Sequence, residues 1–185
     1  MTSVHVALLR GIAPADPATR NDRLRGAFTA LGFSDVRTVI SSGNVVFGVE
    51  GHPDVAEVEA HIEQGLAEHV GRPIRTIVRS RERLQALVDL DPFAGVPEEP
   101  GTVLNVTFLK HAPAVDLDYP HRPEGKSYTL LALHDLAICS VVPSAGPGTS
   151  DVMTWMERRL GKQITTRTYR TVGRILKVMD AERPA

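Results

Sequence analysis

The sequence predicts an α+β protein built from two ferredoxin-like (βαββαβ) halves. Short runs rich in valine, leucine and isoleucine alternate over residues 4–79 with longer segments whose apolar residues recur every three or four positions. The same order returns after residue 102, except that segment 112–125 has three prolines where the first half has a helix. The expected divisions are an N-terminal half (1–80), a connecting helix and linker (81–101), and an irregular C-terminal half with an extra C-terminal helix (102–185).

The elements of the first half follow from apolar runs and from stop signals. Val4–Leu9 predicts the first strand, which ends at Arg10-Gly11. Asn21 or Asp22 is expected to cap the next helix, because both side chains accept hydrogen bonds from a helix N-terminus. The other predicted elements of this half are the strands Val36–Ser41 and Val45–Val49, joined by a two-residue turn at Gly43-Asn44, a helix with Val55, Val58, Ile62 and Leu66 on one face, and the strand Pro73–Arg79.

The second half repeats this order less regularly. Gly173 falls inside the last predicted helix, where glycine costs about 1 kcal/mol relative to alanine, so we expect it to pack closely against the sheet. The connecting region is predicted to hold a helix capped by Ser80. The predicted elements of the second half are the strand Val103–Leu109, a hairpin of Tyr128–Leu133 and Leu136–Val142, the helix Asp151–Leu160, a short strand Gln163–Thr166, and a helix from about Thr168 to Asp180.

Composition excludes several classes of protein. The formal net charge of −1 argues against a protein that mainly neutralises nucleic-acid phosphates. The single cysteine, Cys139, excludes an intramolecular disulfide, and its apolar neighbours predict a buried strand residue rather than a nucleophile. No run of about 20 apolar residues or basic leader occurs, so we expect a cytoplasmic protein without a membrane contact. The histidine spacing matches no metal motif, and no cofactor is expected.

Three stretches together resemble the bacterial family known as domain of unknown function 1697. They are Val6–Ile12 (VALLRGI), Ser42–Phe47 (SGNVVF) and Thr165–Val172 (TTRTYRTV). Members of the family begin with V-A-L-L-R-G-I-N-V-G-G, carry Q-S-G-N-V-V-F and end with T-T-R-N-W-N-T-V. The resemblance supports the fold, implies no particular chemistry, and adds Thr166, Arg167 and Tyr169 to the candidate ligand-binding residues.

This chain departs from the family pattern at four places. Ala13-Pro14-Ala15-Asp16 replaces the N-V-G-G run after the first strand, which puts the role of that loop in question. The other departures are Ser41 for the glutamine, Asp151-Val152 for a lysine-leucine pair, and Tyr169-Arg170 for the tryptophan-asparagine pair.

The topology of a βαββαβ unit predicts where a site would lie. The first two strands run parallel, so the exit of the first strand and the turn between the second and third strands share one end of the sheet. This brings Arg10 and Gly11 beside Ser42, Gly43 and Asn44. Arginine, hydroxyl, amide and glycine N–H groups suit a small anionic ligand, in a binding protein or an enzyme. Alternatively, Gly43 and Asn44 serve only the turn, and Arg10 caps carbonyls or forms a local salt bridge.

A second hypothesis uses the basic C-terminal helix. Arg170, Arg174 and Lys177 fall on one helical face, which could bind nucleic acid or a protein. RNA-binding sheets of this fold need exposed aromatic residues on the central strands, and Phe47 is the only candidate, so nucleic-acid binding is the less favoured alternative. The glycine-rich loop 144–150 lacks a Walker motif and is interpreted as a plain loop that leads into a helix.

Overall fold

A computed structural model describes residues 1–13, 15–41, 43–97, 100–143 and 148–181, without the side chain of Thr149. It contains two four-stranded antiparallel sheets with helices, which confirms the α+β class and the two ferredoxin-like halves. The chain forms two compact units, residues 1–84 with the segment from Arg174 onward, and residues 85–173. The predicted division of the chain at residues 81–101 stays a prediction.

The N-terminal sheet has the strand order β2-β3-β1-β4, and each strand is antiparallel to its neighbours. One face of this sheet packs against two helices around Phe28, Phe47 and Ile62, which are fully buried. The elements in chain order are β1 (Thr2–Leu9), a 3-10 turn (Pro17–Thr19), α1 (Asn21–Ala30), β2 (Ser34–Thr38), β3 (Asn44–Glu50), α2 (Val55–Val70), β4 (Thr76–Ser80) and α3 (Arg81–Asp89).

The predicted two-residue turn at Gly43-Asn44 is wrong. β2 ends at Thr38, and Asn44 is the first residue of β3, where it pairs with Leu8 of β1. The Asn44 side chain donates to the Val39 carbonyl at 3.1 Å, and the Val39 N–H donates to the Asn44 carbonyl at 2.9 Å. These two hydrogen bonds between Val39 and Asn44 close a five-residue connection from β2 to β3, which takes the place of the predicted two-residue turn.

The predicted cap of α1 is also wrong. The residue before the helix is Arg20, which makes no side-chain hydrogen bond to the helix N-terminus. An acidic cap occurs earlier, where Asp16 accepts a 2.9 Å hydrogen bond from the Ala18 N–H of the 3-10 turn. Pro17 occupies the first position of that turn, where a missing N–H is tolerated, and Asp16 before it caps the turn rather than α1.

The outer edge of the N-terminal sheet is closed by carboxylates of α2. β4 is an edge strand, and an open edge would expose backbone N–H groups to other chains. Glu59 accepts from the Val78 N–H and Glu63 accepts from the Thr76 N–H, each at 2.8 Å. The acidic character of α2 therefore satisfies buried donors at this edge.

The C-terminal sheet has the order β6-β7-β5-β8. Asp135 and Leu136 connect β6 to β7 with φ of 43° and 61°, as a two-residue hairpin turn with two positive φ values requires. Segment 112–125 contains no helix, as its prolines predict. The elements are β5 (Thr102–Leu109), β6 (Thr129–His134), β7 (Ala137–Pro143), α4 (Gly148–Leu160), β8 (Ile164–Thr168) and α5 (Tyr169–Asp180).

Cys139 and Gly173 give opposite outcomes for two residue-level predictions. Cys139 lies fully buried on β7, and burial raises the pKa of its thiol to about 12, which confirms a buried strand residue. The expected close packing of Gly173 is wrong, because a Cβ built there would have no heavy atom within 4 Å.

Within the described ranges, no helix is long and apolar enough to cross a membrane, and no group of three or more histidine, cysteine or acidic residues could hold a metal ion.

Two helical glycines of the N-terminal unit should respond oppositely to alanine. Gly26 in α1 is exposed and has no neighbour within 4 Å, so Gly26→Ala is expected to raise the free energy of unfolding by about 0.5–1 kcal/mol. A Cβ at Gly65 in α2 would overlap the side chain of Leu31, so Gly65→Ala is expected to lower it by about 1 kcal/mol. Chemical denaturation of both variants measures the two signs, and equal effects would contradict this packing.

His5 predicts a pH dependence of stability. Its ring is buried against Phe47, and desolvation lowers its pKa, opposed by the Ser3 carbonyl and the charge of Glu82. The unfolded state therefore binds a proton at higher pH than the folded state, so stability is lost as pH falls below about 6.5, by at most about 1.4 kcal/mol per pH unit. Denaturation between neutral and acidic pH should show a shallower loss in His5→Phe than in the native protein. The exposed His52→Gln serves as the control and should keep the native slope.

Candidate functional site

The exit of β1 and the β2–β3 connection lie at the same end of the N-terminal sheet. The Leu9 N–H donates to the Gly43 carbonyl at 2.8 Å. Gly43 has φ of +70°, and a Cβ there would lie 2.5 Å from Cγ1 of Ile12 and 3.0 Å from Cβ of Leu9. The chain path therefore places Arg10 and Gly11 next to Gly43, and this contact requires glycine at position 43.

Two further arginines reach the same strand end from the loop before β4. The Arg10 N–H donates to the Arg75 carbonyl at 2.9 Å. Arg72 donates through Nη2 to the Gly11 carbonyl at 3.4 Å and to Oδ2 of Asp16 at 3.0 Å. The hydrogen bond from Arg72, followed by that from the Ala18 N–H, lowers the pKa of Asp16. We call this region, formed by Arg10, Gly11, Gly43, Arg72 and Arg75, the N-terminal basic end.

The amide expected at this site is buried within the sheet. Ser42 lies outside the described residues. Asn44 is 1% exposed, and its amide donates to the Val39 carbonyl within the sheet. Asn44 therefore positions the connection that carries Gly43, and it does not face solvent as a ligand-binding amide would.

Thr166, Arg167 and Tyr169 belong to the C-terminal unit and make internal contacts. The Thr166 hydroxyl shares a 2.8 Å hydrogen bond with that of Thr107 and contacts the sulfur of Met153. Arg167 donates through Nη1 to the Thr166 carbonyl at 2.9 Å, and burial lowers the pKa of its guanidinium to about 10, so it stays charged at neutral pH. The Tyr169 ring packs against Phe93 with 4.8 Å between centroids.

Two acidic residues that depart from the family pattern form ion pairs in this chain. Asp16 pairs with Arg72, as described above, and Asp151 of α4 pairs with Nζ of Lys126 at 2.8 Å. Sequence analysis missed Arg72 and Arg75 as site residues. The antiparallel pairing of β4 with β1 puts the start of one strand beside the end of the other, so the predicted topology already contained this signal.

The basic C-terminal helix is exposed along its charged face. Arg170, Arg174 and Lys177 are exposed, and the intervening apolar residues of α5 are buried. The aromatic residue that a base-stacking sheet would need is not available, because Phe47 is fully buried against Phe28. The described residues of β1 and β3 therefore offer no exposed aromatic ring for stacking bases.

Comparisons with known proteins agree with the fold and name no activity. Residues 1–124 match the family described as a protein of unknown function, DUF1697. No curated protein matches the chain. Among solved structures, the chain is similar to the conserved bacterial protein SP0830 from Streptococcus pneumoniae, with a TM-score of 0.68 and 18% identity over 98% of this chain and 100% of that one. At this identity the likeness shows the fold alone.

The packing at position 43 gives a test of the strand end. Gly43→Ala combines a positive φ with overlap against Ile12, so it is expected to lower the free energy of unfolding by roughly 2–4 kcal/mol. Gly51→Ala is the matched control, because Gly51 has φ of +74° and no neighbour within 4 Å. Its loss should be about 1 kcal/mol from the backbone alone. Equal losses in chemical denaturation would show that Gly43 does not contact Ile12.

Proposed function

The chain belongs to the DUF1697 family, which is described only as being of unknown function, and we propose that the protein binds a small molecule carrying a phosphate or carboxylate group at the N-terminal basic end. The observation that carries this proposal is the meeting of two segments at one strand end. Arg10 comes from the exit of β1, and Arg72 and Arg75 come from the loop before β4. Arginine binds such oxyanions with two parallel hydrogen bonds.

The groups at this end have distinct roles in the proposal. The Arg72 side chain is 41% exposed and already binds one carboxylate, that of Asp16, so its guanidinium is oriented for an oxyanion. An incoming anion would share or replace Asp16 at Arg72, while Arg10 supplies a second cation. Gly11 is exposed with φ of +71° and open space where a Cβ would stand, so a ligand can approach the backbone there. The proposal concerns binding and assigns no reaction.

Calorimetric titration of the full chain with pyrophosphate and with citrate tests the proposal. Saturable binding is expected that weakens with salt, because exposed charges are screened. Arg10→Gln should weaken binding about tenfold or more, the effect of losing one charge-assisted hydrogen bond. Arg170→Gln removes the same charge from the exposed face of α5 and should leave the affinity unchanged.

The control variant also decides between the two hypotheses from the sequence. Binding lost in Arg170→Gln and kept in Arg10→Gln would place the anion on the C-terminal helix. Equal weakening in both variants would mean that the anion responds to net charge alone. Absence of binding by either probe at low salt would end the proposal.

A further inference from the structure

The two units repeat the same hydrogen bonds at the ends of β1 and β5, which we call the central strands because each pairs with the edge strand that comes last in its half of the chain. In the N-terminal unit the Leu9 N–H bonds the residue before β3, and the Arg10 N–H bonds the residue before β4 (Arg75). In the C-terminal unit the Leu109 N–H donates to the Leu136 carbonyl at 2.8 Å, just before β7. The Lys110 N–H donates to the Gln163 carbonyl at 3.0 Å, just before β8. The exit of β5 is therefore built like the exit of β1.

Cations recur at the equivalent positions. The residue after the central strand is Arg10 in one unit and Lys110 in the other. The helix before each edge strand ends in a glycine with left-handed φ, and the next residue is Arg72 in the first case and Lys162 in the second. Each unit therefore has a cation after this strand and a cation after the helix that precedes its edge strand, although the two halves share little sequence.

The C-terminal copy of this end is concave. A cavity of about 320 Å³ opens there, within the size range of small-molecule sites. Its polar wall is formed by the exposed residues His111, Lys162 and Gln163. Its apolar wall is formed by Leu109, Leu160 and Ile164.

We propose that this cavity is a second anion-binding site, which takes a small molecule with a phosphate or carboxylate group and an apolar portion. Lys162 supplies the charge, the Gln163 amide and the His111 ring supply hydrogen bonds, and the leucine and isoleucine side chains cover the apolar portion. α4 ends at this cavity, and the carbonyl groups at its C-terminus carry partial negative charge. Because these groups repel an anion, the anion must be held by side chains. The second site is independent of the first, because it lies in a different unit and uses none of its residues.

Titration of the isotope-labelled full chain with pyrophosphate, followed by ¹H–¹⁵N NMR, tests this site. Saturable shifts are expected at the amides of His111, Lys162 and Gln163. Lys162→Gln should raise the dissociation constant obtained from these shifts about tenfold or more, because the charge is lost. Lys162→Arg keeps the charge and should retain the native affinity. Arg158→Gln is the matched control, since Arg158 is exposed on α4 and does not line the cavity.

The outcomes separate this site from the N-terminal basic end. Local shifts that disappear in Lys162→Gln and persist in Arg158→Gln support the cavity site. No shifts at the three amides, or equal weakening in both variants, would overturn it. Shifts confined to the amides of Gly11 and Gly43 would support the N-terminal basic end and overturn the cavity site. Shifts confined to the cavity residues would support the cavity site and overturn the N-terminal basic end.

Discussion

Backbone hydrogen bonds fix the end of each central strand, and the rest of each unit is arranged around that point. At the end of β1, the N–H of its last residue, Leu9, is bound to the β2–β3 connection, and the N–H of the following residue, Arg10, is bound to the loop before β4. The strand end is therefore tied on both sides, and loops that carry cations cannot move away without breaking buried hydrogen bonds. This constraint holds Arg10, Gly43 and Arg75 near one another.

Buried polar side chains complete the same frame. Asn44 bonds the connection that reaches the strand end, and Glu59 and Glu63 of α2 bond the outer N–H groups of β4. Each of these groups would be costly if buried without a partner, so each restricts the register of the element that it contacts. In the C-terminal unit the half-buried guanidinium of Arg167 donates to the carbonyl of Thr166 in its own strand.

The same frame accepts different side chains in the two units. His5 pairs with Phe47 and Ser80 across the N-terminal sheet, and Asn105 pairs with Ser140 and Thr168 at the equivalent place in the C-terminal sheet. Register and backbone bonds are kept, and the side chains that fill the layer are replaced. A strand end flanked by cations can therefore occur twice without sequence identity, since it depends on chain path and on the positions of a few basic residues.

The sequence by itself determined the fold class and the order of elements, because apolar periodicity is a local property of the chain. The βαββαβ order in turn placed the exit of β1 and the β2–β3 connection at one end of the sheet. It also showed that Cys139 is buried, since its apolar neighbours settle that. Only the tertiary structure decided that the Asn44 amide donates to the Val39 carbonyl and that a cavity opens beside Lys162. It also decided that Arg72 and Arg75 lie at the same strand end as Arg10. These outcomes depend on which distant groups satisfy each buried donor, and a local pattern carries no information about a partner tens of residues away.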